Sequence, residues 1–104
     1  MVYNKAIRDK IPEIIRKSGN NCTVKQLSDT DFLVELERKL SEELKEYQES
    51  KSVEELADIL EVIYRISELR GKTKIELDAI QNKKRTERGG FEKNLFLIDT
   101  SEKS

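Results

Sequence analysis

The fold is decided by residues 28–71, which read SDTDFLVELERKLSEELKEYQESKSVEELADILEVIYRISELRG. Apolar residues recur there at helical spacing before and after a short polar turn near residues 50–51. The first run is Phe32, Leu33, Leu36, Leu40, Leu44 and Tyr47, and the second is Leu56, Ile59, Leu60, Ile63 and Ile66. The stretch therefore predicts two amphipathic helices that pack antiparallel as a hairpin.

End signals delimit both helices of this hairpin. Ser28, Asp29 and Thr30 each offer an N-cap for the first helix. Ser52 is expected to open the second helix, and Gly71 is expected to close it. Both helices should therefore begin and end within the quoted stretch.

Shorter elements flank the hairpin on both sides. Pro12 fits the first turn of a short helix, and the TKIE sequence at 73–76 reads as a capping box that opens a fourth helix. The segments Thr23–Leu27 and Phe91–Ile98 alternate enough to predict two weak strands that pair with each other. The predicted fold class is all-α, an antiparallel bundle of about four helices with a small two-stranded β element.

The length of 104 residues fits a single domain, 1–104, with an N-terminal arm at 1–10 and a polar tail at 99–104. Charged residues make up 39% of the chain and the net charge is −1, which gives no basis for binding nucleic acid or an anionic membrane. The apolar runs are too short to span a bilayer, and no signal peptide is expected from the residues before the first charges.

The cysteine and histidine counts restrict the chemistry. Cys22 is the single cysteine, so no intrachain disulfide forms, and a reducing, cytoplasmic location is expected. The chain has no histidine, which excludes histidine bases and histidine-rich zinc sites. Catalysis would have to use carboxylates, lysine, tyrosine or metal-bound water.

Two acidic pairs lie symmetrically about the turn of the hairpin. Glu43 and Glu46 precede the turn, and Glu55 and Asp58 follow it. Antiparallel helices pack about 8–10 Å apart, so Glu46 is expected to face Glu55. By the same register Glu43 is expected to face Asp58, and it lies within the apolar stripe, where an unpaired charge is costly. Four converging carboxylates predict a site for Mg²⁺, with Mn²⁺ as an alternative.

Each acid taken alone also has an ordinary structural explanation. Glu55 lies three residues after Ser52, so a capping box accounts equally well for it. Glu43 and Glu46 fit solvent-exposed ion pairs with neighbours such as Lys39. The matched register of the two pairs is the observation that favours a metal site.

A polyphosphate ligand would also require cations beyond the metal. The candidates are Lys83, Lys84 and Arg88 near the end of the fourth helix, and Lys5, Arg8 and Lys10 in the arm. Favourable interaction with the helix C-terminus explains the first group without a ligand, and ordinary surface charge explains the second. Tyr47 and Phe91 are expected in the core rather than as platforms for a nucleobase.

Three parts of the sequence resemble a known family. They are YNKAIRDKIPEII at 3–15, the pair EELKE at 42–46 and EELAD at 54–58, and KKRTERGGFEKNLFL at 83–97. E-x-x-E followed by E-x-x-D on consecutive helices is the metal-binding pattern of the all-α nucleoside triphosphate pyrophosphatases, often called MazG-like. The segments 3–15 and 83–97 resemble the N-terminal signature and the basic C-terminal segment of one branch of that family. This branch consists of short, phosphoribosyl-ATP pyrophosphohydrolase-like proteins.

The resemblance implies a Mg²⁺-dependent hydrolase that cleaves a nucleoside triphosphate between the α and β phosphates, releasing a monophosphate and pyrophosphate, as in cleansing of the nucleotide pool. It implies metal ligation by Glu43, Glu46, Glu55 and Asp58, and activation of water by Glu42 or Glu43. It also implies a homo-oligomer, either a dimer or a tetramer. Only eight residues separate Glu46 from Glu55, fewer than in larger relatives, which predicts a tight hairpin.

Two further functions stay open. One is phosphoribosyl-ATP pyrophosphohydrolase activity, and the other is a non-catalytic helical module that binds a partner or a nucleotide. A binding module has no need for facing acids on the core side of a hairpin. The geometry of the four acids therefore matters most for choosing among these functions.

Overall fold

The computed structural model describes residues 1–102 and contains four helices. They are α1 (Ile11–Lys17), α2 (Asp29–Ser50), α3 (Val53–Leu69) and α4 (Lys74–Arg88). No strand occurs in the described part of the chain, so the all-α prediction is confirmed. The predicted polar tail is described as far as residue 102, and residues 103–104 lie outside the described residues.

The hairpin of α2 and α3 forms with the predicted caps. The Ser28 hydroxyl accepts a hydrogen bond of 3.2 Å from the backbone N–H of Asp31, and the Ser52 hydroxyl accepts one of 3.2 Å from the N–H of Glu54. Between the helices, Lys51 adopts the left-handed conformation with φ of 58°. The two helices are therefore joined by a turn of two residues, which confirms the predicted tight hairpin.

The two shorter helices also follow their end signals. Pro12 lies in the first turn of α1, and the predicted capping box at 73–76 opens α4. The Tyr64 hydroxyl donates a 3.2 Å hydrogen bond to Asp78 Oδ1, and the Lys74 ammonium lies 4.7 Å from the centre of the Tyr64 ring. These contacts hold the start of α4 against α3, whereas residues 81–102 are all exposed.

The prediction of two strands is wrong. Thr23–Leu27 belongs to the irregular connection between α1 and α2, and Phe91–Ile98 is irregular chain after α4. A strand needs a neighbour to satisfy its N–H and C=O groups, and within residues 1–102 no backbone hydrogen bond joins these segments. The predicted core position of Phe91 is also wrong, because its side chain is 97% exposed. Tyr47 is half-buried.

A small core lies between the N-terminal arm and the hairpin. Its buried apolar residues are Ala6, Leu36 and Val62, with Phe32, Leu40, Ile66 and Leu69 packed against them. Ala6 belongs to the arm, so the arm is docked on α2 and α3. None of the helices in the described part of the chain is long and apolar enough to cross a membrane.

We predict that Leu36→Ala lowers the free energy of unfolding by about 2 to 4 kcal/mol, because it removes buried methyl groups and leaves a cavity. Urea unfolding followed by circular dichroism measures the change. Ile75→Ala, on the exposed side of α4, is the control and should cost less than about 0.5 kcal/mol. Equal costs for the two variants would contradict the proposed core.

Candidate metal centre

Three of the four predicted acids converge between α2 and α3. One carboxylate oxygen from each of Glu43, Glu55 and Asp58 lies within 4.8 Å of the other two, and we call these residues the acid cluster. Glu43 is only 8% exposed, because it lies on the face of α2 that packs against α3. Glu43 therefore meets both Glu55 and Asp58, and not only Asp58 as the register predicted.

The other two predicted acids lie outside the acid cluster. Glu46 is exposed, yet it is near enough for its charge to raise the pKa of Glu55. Glu42 is exposed one residue before Glu43. Three of the four carboxylates predicted to bind the metal thus form the acid cluster, and Glu46 lies beside it.

The surroundings of Glu55 and Glu43 differ from the ordinary explanations of these two acids, which were a capping box and a solvent-exposed ion pair. The N–H of Ser52 donates to the Ser50 hydroxyl at 3.2 Å, so Glu55 does not complete a capping box. The Lys39 ammonium does pair with Glu43, at 3.2 Å, but both side chains are mostly buried. Lys39 therefore compensates a buried carboxylate and is not a solvent-exposed partner.

One carboxylate oxygen of Glu43 lies within 4.8 Å of one of Glu55, so the two groups are coupled and a hydrogen bond between them requires a proton on one of them. The hydrogen bond with Glu43, burial, and the charges of Glu46, Glu43 and Asp58 raise the pKa of Glu55 to about 7. Burial also raises the pKa of Glu43, but the Lys39 ammonium and the hydrogen bond from Glu55 outweigh it and bring that pKa below its usual value. Below about pH 7 a proton shared by the two carboxyl groups is therefore held by Glu55 in preference to Glu43.

Each carboxylate of the acid cluster has a different source of charge compensation. Lys39 pairs with Glu43, and Arg8 Nη2 lies 2.7 Å from Asp58 Oδ1. Within residues 1–102, no cation pairs with Glu55, and its Oε2 atom is buried without a hydrogen-bond partner. Two cations therefore compensate two of the three acids, and below about pH 7 a proton on Glu55 compensates the third.

A groove of about 790 Å³ runs beside the acid cluster, within the range of about 300–1,000 Å³ that is usual for small-molecule sites. Among its lining residues are Lys5 and Arg8 from the arm, Lys39 and Glu43 from α2, and Asp58, Glu61, Arg65 and Glu68 from α3. Four of these residues were not predicted from the sequence as site residues: Lys39, Glu61, Arg65 and Glu68. The α3 members recur every three or four residues from Asp58, a spacing that could have identified them as one face of the helix.

The other predicted cations lie elsewhere. Lys10 is the N-cap residue of α1 and does not line the groove. Lys84 and Arg88 line a separate depression of about 320 Å³ with Phe91, and Lys83 pairs with Glu87 at 4.0 Å. Because α4 contributes no lining residue to the groove, the basic residues at the end of α4 lie apart from the acid cluster within one chain.

The donor set of the acid cluster fits a hard divalent cation. It consists of carboxylate oxygens alone, which suit Mg²⁺ or Mn²⁺ and contrast with the nitrogen and sulfur ligands of most zinc sites. The unpaired Oε2 of Glu55 adds a buried acceptor that a cation would satisfy. Glu43, Glu55 and Asp58 are therefore the residues that could hold such an ion.

Comparisons with known proteins do not identify a family. No family model matches the chain, and no solved structure matches it significantly. An uncharacterised protein of Mycolicibacterium smegmatis is 45% identical over 40 residues, which cover 38% of this chain and 41% of that protein. This relative carries no functional description, so the resemblance to nucleoside triphosphate pyrophosphatases stays a prediction.

We predict that in EDTA the free energy of unfolding falls as the pH rises from about 4.5 to about 7. In that window folded Glu55 keeps a proton that the unfolded chain releases, so the folded state binds more protons. Glu55→Gln should remove this dependence, as measured by urea unfolding at several pH values. The pKa of Glu43 is lowered in the folded state, so the stability that its ionised carboxylate contributes is lost only as the pH falls below about 4.5. That loss lies outside the window in which Glu55 titrates.

The matched control for this prediction is Glu54→Gln. Glu54 is the exposed neighbour of Glu55 in the first turn of α3, so its variant should keep the wild-type pH dependence. If Glu55→Gln and wild type lose stability equally across this window, Glu55 does not hold the shared proton.

Proposed function

We propose that the protein is a Mg²⁺-dependent nucleoside triphosphate pyrophosphohydrolase that cleaves between the α and β phosphates. The observation that carries this proposal is the convergence of oxygens from Glu43, Glu55 and Asp58 within 4.8 Å beside a groove that also contains cations. The resemblance of the acidic motifs to those of MazG-like pyrophosphatases supports the same reaction. The monophosphate and pyrophosphate products would suit a role in cleansing the nucleotide pool.

In this proposal Glu43, Glu55 and Asp58 hold the cation, and exposed Glu46 borders it. Mg²⁺, when bound, supplies charge neutralisation at the phosphoryl group and lowers the pKa of a water molecule. Buried Glu43 has its carboxylate fixed by Lys39, so its orientation is set before a ligand arrives. Glu42, exposed one residue earlier, is a candidate to accept a proton from the attacking water.

The groove also supplies positive charge for the polyphosphate. Lys5, Arg8 and Arg65 line it and are exposed. Arginine contacts phosphate oxygens in a bidentate manner, whereas lysine acts as a point charge. In this proposal these three cations bind the polyphosphate, and the basic residues at the end of α4 do not.

We predict that Glu43→Gln and Asp58→Asn each reduce Mg²⁺-dependent pyrophosphate release by about 100-fold or more, because each removes a carboxylate from the cation site. The assay is a screen of nucleoside triphosphates, modified nucleotides and phosphoribosyl-ATP with Mg²⁺ or Mn²⁺. Glu49→Gln, an exposed acid at the end of the same helix, is the control and should retain wild-type activity.

Two outcomes of this screen would contradict the proposal. If both cluster variants release pyrophosphate as fast as wild type, the metal assignment is wrong. If wild type releases no pyrophosphate from any substrate, the protein is better described as a helical binding module. Preference for phosphoribosyl-ATP over nucleoside triphosphates would instead select the other enzymatic alternative.

Exposed apolar side chains on the hairpin support a homo-oligomer. Leu44, Leu56, Leu60 and Ile63 are each 36–49% exposed, and none of them lines the groove; we call them the open apolar face. The three members on α3 repeat at the spacing of a helix–helix seam. A second copy packed on this face would enlarge a core that has few buried residues within one chain.

We predict that Leu60→Glu shifts the protein to monomers, because a charge in the open apolar face cannot be buried without a partner. Sedimentation velocity at several concentrations measures the oligomer. Val34→Glu is the control, since Val34 is exposed on α2 outside this face, and its variant should keep the wild-type oligomer. A wild type that is already monomeric would exclude the proposed assembly.

A further inference from the structure

The N-terminal arm contacts the acid cluster through one ion pair. Arg8 Nη2 lies 2.7 Å from Asp58 Oδ1, and the two residues are 50 positions apart in the chain. Their side chains are 53% and 44% exposed. An ion pair this exposed is weak and breaks easily in favour of a stronger partner.

Arg8 can leave Asp58 without undocking the arm. Ala6, two residues earlier, is buried in the core with Leu36 and Val62, and the Arg8 carbonyl accepts a 3.1 Å hydrogen bond from the N–H of Ile11 at the start of α1. The backbone on both sides of Arg8 is therefore held. Only its long side chain has to rotate for the ion pair to break.

The guanidinium and a divalent cation would compete for the same carboxylate. Asp58 belongs to the acid cluster, and two positive charges at one carboxylate repel each other. Lys39 is not an equivalent competitor, because it is mostly buried against Glu43. Lys5 lines the groove, but its ammonium lies over the Tyr3 ring at 5.3 Å and pairs with none of the three acids.

We propose that Arg8 occupies the cation position at Asp58 until a divalent metal displaces it, and that the released guanidinium then binds the polyphosphate of the nucleotide in the groove. This exchange rests on the proposed function. The Arg8 side chain would be the counter-ion of Asp58 in the metal-free site and a bidentate phosphate ligand in the metal-bound site. Metal and nucleotide would consequently bind with positive coupling, each raising the affinity for the other.

The experiment measures Mn²⁺ binding to the EDTA-treated full-length protein by isothermal titration calorimetry, without nucleotide. Arg8→Ala should bind Mn²⁺ about three- to ten-fold more tightly than wild type, because Asp58 no longer has a competing cation. Arg8→Gln, which keeps a hydrogen-bonding side chain, should change in the same direction and guards against a folding defect of the alanine variant.

Two control variants separate the exchange from general effects. Arg70→Ala removes a closely matched ion pair, with Glu37 at 2.7 Å and side chains 62% and 48% exposed, and should bind Mn²⁺ like wild type. Lys5→Ala removes one positive charge from the same groove without freeing Asp58. Its Mn²⁺ affinity should rise less than that of Arg8→Ala.

A second titration tests the other half of the exchange. With Mn²⁺ present, Arg8→Ala should bind a non-hydrolysable nucleoside triphosphate about ten-fold more weakly than wild type, since a bidentate phosphate contact is lost. The nucleotide should also raise the Mn²⁺ affinity of wild type more than that of Arg8→Ala. Equal nucleotide affinities would show that Arg8 does not bind phosphate and would overturn the proposal.

The remaining outcomes distinguish this inference from the proposed function. If wild type binds Mn²⁺ but Arg8→Ala binds it no more tightly than wild type or Lys5→Ala does, the exchange is overturned while the metal site stands. If wild type binds no Mn²⁺ in either titration, the proposed function fails and the exchange fails with it.

Discussion

The structure depends on the packing of α2 against α3, which places the carboxylate of Glu43 between two apolar helix faces. Glu43 is 8% exposed, and a carboxylate in such a position is costly unless it is paired. Lys39 pairs with it from one turn away, and Glu55 meets it from the opposite helix. The contact that forms the core therefore also forms the acid cluster.

The charge balance of the acid cluster links the helices to the N-terminal arm. Lys39 compensates Glu43, Arg8 compensates Asp58, and Glu55, whose pKa is raised to about 7, carries a proton below that pH. A divalent cation is one species that can replace both the proton and the arginine. Metal binding would thus change the proton content of the site and the position of the Arg8 side chain together.

Local signals predicted the helices well and the irregular segments poorly. Ser28, Ser52 and the capping box at 73–76 act within a single turn, so their effect can be read from neighbouring residues. The two predicted strands failed because a strand is stable only with a partner, and pairing depends on contacts distant in sequence. Phe91 is exposed for a related reason, since every residue of the irregular segment 89–102 is exposed.

The sequence by itself determined the four helices, the tight turn and the two acidic pairs on either side of it, because helical periodicity converts residue spacing directly into position on a helix face. Only the tertiary structure decided that Glu46 stays exposed, that the basic end of α4 lies apart from the groove, and that Arg8 reaches Asp58. Residues 1–10 show no clear hydrophobic periodicity from which their position in the fold could be predicted. Their position follows from the docking of Ala6 in the core, a contact that exists only once α2 and α3 have packed.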